Sequence, residues 1–522
     1  MRSKLFRHLD GIAMTPICHT LHTQGVTSFL LDRRTVTLDE LCIEFDANSG
    51  YLNAGLDALC AQGWLDKSVG NTHQGITYSI NNKSDCAFAH FYLYESANNV
   101  LEYFNQTTTP KMSLDLSADL KRLLDRYEES YSLEISPLRG DRFVQNQILS
   151  HVEGVIAGPV SVLFGMAGIF DTCLKKDCFS REIFGEYFEI FSRLGWFEKC
   201  GDSFQFSDKG RYFAKTASGY GVTTSYVPML MHSAALMFGD PLILQSNGDY
   251  ELHVNRAMNV WGSGGAHLSY FKRVAQIIIP IFNQPIEKQP KGIIDIGCGD
   301  GAFIKYLYHV IKTETLRGTM LDEHPIVMVG ADYNKAALDI TRNNLSKAQV
   351  PVTVLWGDIG RPDVLAHDLS QDYEINMSDL LNVRTFLDHN RMWQEPISVE
   401  DATTETTTGA FAYRGNLLQN NVVEASLVEH LKLWFPYVKK YGLIVIELHA
   451  VAPAIIAQNI GKTAATAYNL THALSDQYIV DIATWDRTMR KVGLEPDPSV
   501  SMKFPNSELA NISINHYVKS AA

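Results

Sequence analysis

The segment KGIIDIGCGDGAFIKYLYHVIK, residues 291–312, constrains the fold of this chain more than any other stretch. Its isoleucines predict a short buried strand, and Gly297, Gly299 and Gly301 then turn the chain into a helix with apolar residues at helical spacing. Glycines let a backbone come close to a ligand, and the first N–H groups of a helix lack partners within the helix. The segment therefore predicts half of a mononucleotide-binding unit in an α/β domain.

The acidic residues of this segment bear on the kind of ligand. A dinucleotide-binding turn has the pattern G-x-G-x-x-G with an acid about 20 residues later. This chain has D-x-G-x-G-x-G, with Asp295 near the end of the strand and Asp300 inside the turn. Two carboxylates at this place argue against a bound pyrophosphate, because like charges repel each other.

Two later strands end in a similar way. One apolar run leads to Asp332 and Tyr333, and the next leads to Asp358 and Ile359. An ordinary glycine turn in an α/β domain does not explain acids at three strand ends. The pattern instead indicates one ligand that lies across the ends of three neighbouring strands.

These residues resemble motif I and the following strand ends of the class I S-adenosylmethionine (SAM) methyltransferases. The resemblance implies an α/β, Rossmann-like fold with a mostly parallel seven-stranded sheet. It also implies that the motif glycines and Asp295 accommodate the amino-acid end and ribose of SAM. Asp332, followed by Tyr333, would accept bonds from both ribose hydroxyls, while Asp358 and Ile359 would meet the adenine. One departure from the family pattern is a longer gap between Gly301 and Asp332.

A fourth strand and its following loop are predicted in YEINMSDLLNVRTFLDHNRMW. Its polar residues Asn376, Asp379, Asn382 and Arg384 are expected at the cleft, which in this fold lies outside the carboxyl ends of the strands. Asn382 is the further candidate for contact with the cofactor.

The N-terminal half repeats one pattern twice. Two helices, a turn and a β-wing follow Thr37, and the junction Gly63-Trp64 between helix and wing recurs as Gly195-Trp196. We interpret this as an internal duplication of a winged-helix-like unit. The first recognition helix, YLNAGLDALCAQ, carries no lysine or arginine, and the second is acidic. Similar units in small-molecule O-methyltransferases form dimerisation and lid elements, so we expect a mainly helical lid that does not bind DNA.

The predicted domains are a winged-helix-like unit at 1–110, a second helical and winged-helix-like lid unit at 111–253 and the methyltransferase domain at 254–522. In the third, Ser263 to Ala266 predict a flexible loop before a helix. A length of 522 residues is compatible with roughly three domains of about 150 residues each.

Composition excludes several partners and locations. The formal net charge is -13 without a basic run, which disfavours nucleic acid because phosphate binding requires clustered lysine and arginine. The eight cysteines form no C-x-x-C pair, so they predict neither a disulfide framework nor a thiolate zinc site. No signal peptide or membrane helix is evident. We therefore expect a soluble, cytoplasmic protein without a membrane partner.

A long segment after the fifth strand decides the substrate. It contains ELHAV and then NIGKTAATAYNLTHALSDQYIVD, and its most specific piece is T-H-x-x-S-D-Q-Y at 471–478. This combination resembles the metal-dependent C-methyltransferases of polyketide synthase loading modules that contain a GNAT-like domain, of the apratoxin and saxitoxin type. The resemblance extends over most of the chain, including its helical N-terminal part.

This second resemblance implies methylation of the α-carbon of malonyl on an acyl carrier protein, in polyketide starter-unit biosynthesis. A mononuclear iron or manganese ion would act as a Lewis acid on the thioester enolate. His472 and Gln477 are the expected metal ligands, and His449 and His472 the expected catalytic residues. The partners implied are malonyl-acyl carrier protein and an adjacent GNAT-like domain, neither of which the sequence contains. An excised domain and a stand-alone relative both fit this.

The alternative is a metal-free small-molecule O-methyltransferase, in which His449 or His389 removes the proton of a hydroxyl group. A second alternative for His472 is a general base that is hydrogen-bonded to Asp476 or Gln477. A regulator with a vestigial SAM fold is disfavoured by the intact Asp295, Asp332 and Asp358.

Overall fold

The structure is a computed structural model that describes residues 1–70, 75–105, 114–132, 142–176, 178–245, 251–399 and 407–520. The helices of these residues, in chain order, are α1 Arg2–Thr23, α2 Val26–Arg33, α3 Leu38–Phe45, α4 Ser49–Ala61, α5 Ser84–Ala89, α6 Tyr92–Asn105, α7 Leu114–Ser132, α8 Arg142–Met166, α9 Ile169–Leu174, α10 Tyr187–Arg193, α11 Asp208–Lys215, α12 Ser218–Ser225, α13 Val227–Leu230, α14 Ser233–Phe238, α15 Arg256–Phe282, α16 Ala302–Glu314, α17 Lys335–Lys347, α18 Pro362–Tyr373, α19 Asn420–Val438, α20 Pro453–Gln458, α21 Ala465–Leu474 and α22 Ile482–Lys491.

The strands of the described residues are β1 Thr35–Thr37, β2 Leu65–Val69, β3 Ile76–Ile80, β4 Phe197–Cys200, β5 Ser203–Phe206, β6 Gly292–Ile296, β7 Val327–Asp332, β8 Thr353–Trp356, β9 Leu380–Thr385, β10 Ala412–Tyr413, β11 Asn416–Leu417, β12 Leu443–Leu448, β13 Leu494–Pro496, β14 Met502–Phe504 and β15 Ile512–Lys519.

Contacts divide the chain into two compact units. Unit 1 contains residues 1–265, 410–418 and 452–476, and unit 2 contains residues 266–409, 419–451 and 477–522. Unit 1 is therefore not one continuous stretch of chain, because residues 410–418 and 452–476 pack with residues 1–265. The bounds of the three domains expected from the sequence stay predictions.

Unit 1 contains both predicted winged-helix-like arrangements. In the first, α3 begins with a capping box, in which Thr37 Oγ1 accepts from the Glu40 N–H at 3.1 Å and Glu40 accepts from the Thr37 N–H at 2.7 Å. Helix α4 follows, and β1, β3 and β2 form an antiparallel sheet. In the second arrangement, α10 precedes the hairpin of β4 and β5.

The two Gly-Trp junctions have the same local structure. Gly63 and Gly195 adopt left-handed φ angles of 76° and 74°, which a residue without Cβ takes up at little cost. The next residue in each case, Trp64 or Trp196, is fully buried. This shared geometry supports the interpretation of an internal duplication.

The centre of unit 1 is a close crossing of α1 and α8. Gly11 and Gly154 allow the approach, since a Cβ built on Gly11 would lie 2.3 Å from His151 Cα and one on Gly154 2.4 Å from His8 Cα. Helix α8 is long and apolar enough to span a membrane, but 89% of its 18-residue window is buried inside the protein. A buried core helix has the same composition, so this feature is weak support for a membrane span.

Gly11→Ala is expected to destabilise the protein by about 1–3 kcal/mol, since its methyl group would clash with helix backbone that has no rotamer to change. Gly219→Ala is the matched control. Gly219 also lies in a helix of unit 1, but its nearest foreign atom would be a leucine methyl 3.5 Å away. Urea unfolding measures both variants, and equal stability of the two would contradict the close crossing.

Unit 2 contains the sheet expected for a class I SAM methyltransferase, which confirms the predicted fold class. Its strand order is β13-β15-β12-β9-β6-β7-β8, and β14 pairs with β15 as an eighth strand. The five strands β12, β9, β6, β7 and β8 are parallel, while β15 runs antiparallel to β12. Parallel strands place their carboxyl ends, and the loops after them, at one edge of the sheet.

The structure corrects three expectations. Asn376 and Asp379 precede β9, so they lie at its amino end and away from the expected cleft. Ser263 to Ala266 lie within α15, not in a loop. Cys178 and Cys200 form a disulfide bond with a Cα–Cα distance of 6.6 Å, although no C-x-x-C spacing indicates it. Phe179 forms an antiparallel bridge with Phe204 of β5, which brings Cys178 near Cys200 of β4, and sequence spacing does not reveal that.

Candidate active site

The glycine-rich turn between β6 and α16 has the geometry of a ligand-binding turn. Gly297, Gly299 and Gly301 have φ angles of 78°, 55° and 79°, all in the left-handed region that favours glycine. The turn is joined to the next strand by the Gly297 N–H, which donates to the Ala331 carbonyl at 2.8 Å. A Cβ on Gly297 would lie 3.1 Å from Leu387, the second residue after β9.

Asp332 contacts the glycine turn directly. Its Oδ2 accepts from the Gly299 N–H at 3.0 Å, and its Oδ1 accepts from the Asn334 N–H at 2.8 Å. Each carboxylate oxygen can accept a second bond, so these contacts leave acceptor sites for ribose hydroxyls. The structure thus brings together the residues that the sequence assigned to the amino-acid end and ribose of SAM.

Asp295 is buried, and its Oδ1 has no hydrogen-bond partner among the described residues. Burial, with smaller contributions from Asp332 and Asp300, raises its pKa to about 8. Burial therefore favours the protonated form of this carboxyl group, whereas the sequence indicated a negative charge here. A cation such as the SAM amino group would favour its ionised form.

The candidate adenine residues lie at the end of β8 and just beyond it. Asp358 Oδ1 accepts from the Gly360 N–H at 2.8 Å, and the buried Ile359 offers its carbonyl to Trp434 Nε1 at 2.8 Å. Tyr333 is 61% exposed, with its ring 5.6 Å from that of Trp356. Contacts of Asp358, Ile359 and Tyr333 with adenine or ribose stay predictions.

Asn382 occupies a different environment. It is the third residue of β9, and its side chain is fully buried, with Nδ2 donating to the Leu380 carbonyl at 3.3 Å. Its Oδ1 has no partner among the described residues. The structure therefore places Asn382 inside the sheet and not at the carboxyl edge where the other candidates lie.

A buried histidine–glutamate pair lies at this carboxyl edge. Glu447 is the fifth residue of β12, and its Oε1 is 2.6 Å from Nδ1 of His389, which follows β9. Glu447 also accepts from the N–H groups of Asp388 at 3.0 Å and Leu448 at 2.7 Å. Glu447 is thus held in place, and it orients the imidazole ring of His389.

The neighbouring Asp388 belongs to a second buried network. Its Oδ1 is 2.6 Å from Arg384 Nη1 and 2.9 Å from His430 Nε2, and Arg384 stacks on Trp434 at 3.9 Å. Burial opposes ionisation of Asp388, but the charge of Arg384 and the hydrogen bond with His430 hold its pKa at about 2. The Asp388-His389 turn is therefore rigidly supported. Sequence reasoning named His389 only as an alternative base and missed Glu447, because the two are 58 residues apart.

His449 lies in a position that does not favour a catalytic role. Its Nε2 is 2.7 Å from Ser513 Oγ and its Nδ1 is 3.2 Å from the Val480 carbonyl, so both ring nitrogens are already engaged. The residue is fully buried, and burial lowers its pKa to about 4. We therefore assign His449 to the packing of β12 against β15 and not to proton transfer.

The predicted metal ligands fall in separate units. In unit 1, His472 lies in α21 and its Nδ1 contacts the Tyr468 carbonyl at 2.7 Å, which places the lone pair of a neutral ring on Nε2. In unit 2, Gln477 Oε1 is a buried acceptor without a hydrogen-bond partner among the described residues. Both atoms are of types that suit a metal ion, although no cluster of three His, Cys, Asp or Glu ligands occurs in the described chain.

Comparison with protein families decides what kind of protein this is. The profile of the AprA MT2-like domain matches residues 251–515, that of the AprA N-terminal domain matches residues 1–67, and that of the AprA winged helix domain matches residues 153–240. The chain belongs to the AprA MT2-like methyltransferases. As an AprA MT2-like methyltransferase it uses SAM, and the glycine turn with Asp332 is the part of unit 2 that fits this cofactor.

Solved structures that are similar to this AprA MT2-like protein include three that share 11% sequence identity with it. No curated protein sequence matches it. Mitomycin 7-O-methyltransferase MmcR aligns with a TM-score of 0.41 and 11% identity over 69% of this chain and 93% of its own. An O-methyltransferase family 2 protein from Planctomyces limnophilus aligns with a TM-score of 0.40 and 11% identity over 98% of this chain and 95% of its own. The CurJ carbon methyltransferase aligns with a TM-score of 0.33 and 11% identity over 78% of this chain and 99% of its own.

Proposed function

We propose that this methyltransferase methylates the α-carbon of a malonyl group that an acyl carrier protein holds as a thioester. The family match and the T-H-x-x-S-D-Q-Y segment support a polyketide starter unit as the setting. The observation that carries the proton-removal step is the buried His389–Glu447 pair. A carbon acid has to lose a proton before it attacks a methyl group, and His389 follows Leu387, which packs on the glycine turn.

In this scheme, cofactor binding and proton removal are carried out by different residues. The glycine turn and Asp332 bind and orient SAM, which supplies an electrophilic methyl group. His389 takes the α-proton at Nε2, while Glu447 accepts from Nδ1–H and stabilises the imidazolium that forms. Because the Asp388 and Leu448 N–H groups hold Glu447, the pair needs little reorganisation during proton transfer.

We further propose His472 and Gln477 as ligands of an iron or manganese ion. Such an ion would act as a Lewis acid that stabilises the negative charge on the thioester oxygen. The carbonyl contact of His472 Nδ1 and the unpartnered Oε1 of Gln477 support this assignment. A GNAT-like domain as partner, a cytoplasmic location and the absence of nucleic-acid and membrane partners also remain proposals.

The second candidate function is metal-free O-methylation of a small molecule, and the same observation favours it. A histidine backed by a carboxylate can remove a hydroxyl proton as well as a carbon-bound one. The contacts of His389 make it the base in this scheme too, in place of His449. The two functions therefore differ in acceptor and in metal requirement, not in the residue that takes the proton.

Metal removal separates these functions. We expect chelated enzyme to lose methylation of malonyl-carrier protein, to regain it with added iron or manganese, and to keep its SAM affinity. His472→Ala and Gln477→Ala should each lower the metal content measured by mass spectrometry. The exposed His367 provides the matched control, His367→Ala, with normal metal content. A stripped enzyme that works at full rate would exclude the metal scheme, whereas transfer to a hydroxyl acceptor alone would favour the second function.

A further inference from the structure

A group of cations in unit 1 surrounds one half-exposed aromatic ring. Phe143, at the start of α8, is 42% exposed. Arg7 Cζ lies 5.7 Å from the centroid of its ring and Lys83 Nζ lies 5.3 Å from it. Arg142, the preceding residue, is exposed. Two separate parts of the chain thus bring positive charge to one ring, and Arg142 adds a charge next to it in sequence.

A fourth cation comes from the segment between β12 and α22. A Cβ on Gly461 would lie 2.8 Å from Arg7 Nε, so the backbone of Gly461 lies against Arg7. The next residue, Lys462, is exposed, and its Nζ donates to Asn459 Oδ1 at 3.0 Å. We call Arg7, Lys83, Arg142, Lys462 and Phe143 the basic surface.

The charges of the basic surface are not neutralised within the described residues. None of its four cations has a carboxylate oxygen within 4 Å there, whereas nearby Lys4 and Lys67 pair with Glu153 and Asp57. Arg7 Nε is buried and lacks a hydrogen-bond partner in the same part of the chain. In a protein with a net charge of -13, two cations at one exposed ring, with Arg142 and Lys462 exposed beside their neighbours in sequence, form a local positive surface.

We propose that the basic surface binds the acyl carrier protein that delivers the thioester, an inference that rests on the proposed function. Carrier proteins are usually acidic, so carboxylates on a carrier helix would meet these cations. The Phe143 ring supplies an apolar centre, which interfaces need in addition to charge. Complementary charge of this kind mainly raises the association rate and sets the choice of partner. Four cations in an acidic protein form too small a patch for tight binding of nucleic acid.

Direct binding tests this surface without methyl transfer. The probe is a labelled acidic polyketide acyl carrier protein without a malonyl group, titrated with the full chain and followed by fluorescence anisotropy. We expect the double variant Arg7→Glu/Lys83→Glu to raise the Kd by about tenfold or more. Arg7→Gln/Lys83→Gln should give a smaller increase in Kd. Added salt should weaken carrier-protein binding by the wild type and by this glutamine variant, but not by the glutamate variant.

The matched control is Lys175→Glu/Lys176→Glu, a charge reversal of equal size at two exposed lysines after α9. It is expected to bind the carrier protein like the wild type. Equal Kd values for control and test variants would overturn the proposal. Stronger binding of duplex DNA or of phosphatidylserine vesicles than of the carrier protein would also overturn it. Because Arg7 is partly buried, each variant must have the thermal unfolding temperature and the SAM affinity of the wild type. If Arg7→Glu/Lys83→Glu does not fold, the Kd of Arg7→Gln/Lys83→Gln is the deciding measurement.

Catalysis separates this proposal from the proposed function. With malonyl-carrier protein, the variants should raise KM and leave kcat unchanged, while malonyl-pantetheine should react as with the wild type. An equal loss with both thioesters would overturn the docking role. If the wild type methylates neither thioester, the proposed function fails. The Kd values for the carrier protein then still test whether the basic surface binds it.

Discussion

His389→Ala is expected to lower kcat for methyl transfer by about 10²–10⁴-fold, the usual contribution of a positioned general base. The pair of His389 and Glu447 is buried and fixed by backbone N–H groups, so the alanine variant loses a base that is held in place. Glu447→Gln should also lower kcat, by a smaller factor, because the ring loses the carboxylate that stabilises its charged form. Stopped assays with SAM and malonyl-carrier protein measure both variants.

Two controls accompany this measurement. His367→Ala removes an exposed imidazole from α18 of the same unit and should keep the wild-type rate. SAM affinity of the His389 variant should also stay unchanged, since His389 acts on the methyl acceptor. A His389→Ala enzyme with more than about a tenth of the wild-type kcat would exclude His389 as the base.

Asp332→Ala is expected to weaken SAM binding by about 1.5–3 kcal/mol, or roughly 10- to 150-fold in Kd, the scale of a hydrogen bond to a charged group. The carboxylate also accepts from the Gly299 and Asn334 N–H groups, so its removal loosens the glycine turn as well. Asp332→Asn keeps one acceptor oxygen and should lose less affinity than the alanine variant. Isothermal titration calorimetry with SAM gives both constants.

The control for this change is Asp339→Ala. Asp339 lies on α17, seven residues further along the chain, and pairs with Arg342 at 2.9 Å on the surface. Its loss removes the same charge without touching the glycine turn, and exposed ion pairs contribute little. Unchanged SAM affinity in Asp332→Ala, or an equal loss in both variants, would remove Asp332 from the ribose site.

Local sequence predicted the SAM-binding half of unit 2 closely. Strand, glycine turn and helix follow one another at 292–314, and Asp332 ends the next strand as expected. A strand next to a turn is specified by neighbouring residues, because burial selects isoleucine and left-handed φ angles select glycine. For the same reason the sequence indicated the two Gly-Trp junctions.

Small residues were harder to interpret without their neighbours. The run from Ser263 to Ala266 looked like a flexible loop, but it lies inside α15. The adjacent Gly262 packs on Gly221 of α12, where an added Cβ would lie 2.7 Å from the Gly221 Cα. Glycine in a helix can therefore mark a close contact as well as flexibility, and only the packing partner distinguishes them.

The sequence by itself determined the fold class and SAM as a cofactor, because both follow from residues that are close in the chain. Tertiary structure alone brought together the residues that the proposed proton transfer needs. It joined His389 to Glu447 across 58 residues, engaged both nitrogens of His449, and put His472 and Gln477 in different units. The chemistry of a histidine follows from the groups that its two nitrogens meet, and the folding of distant segments determines those groups.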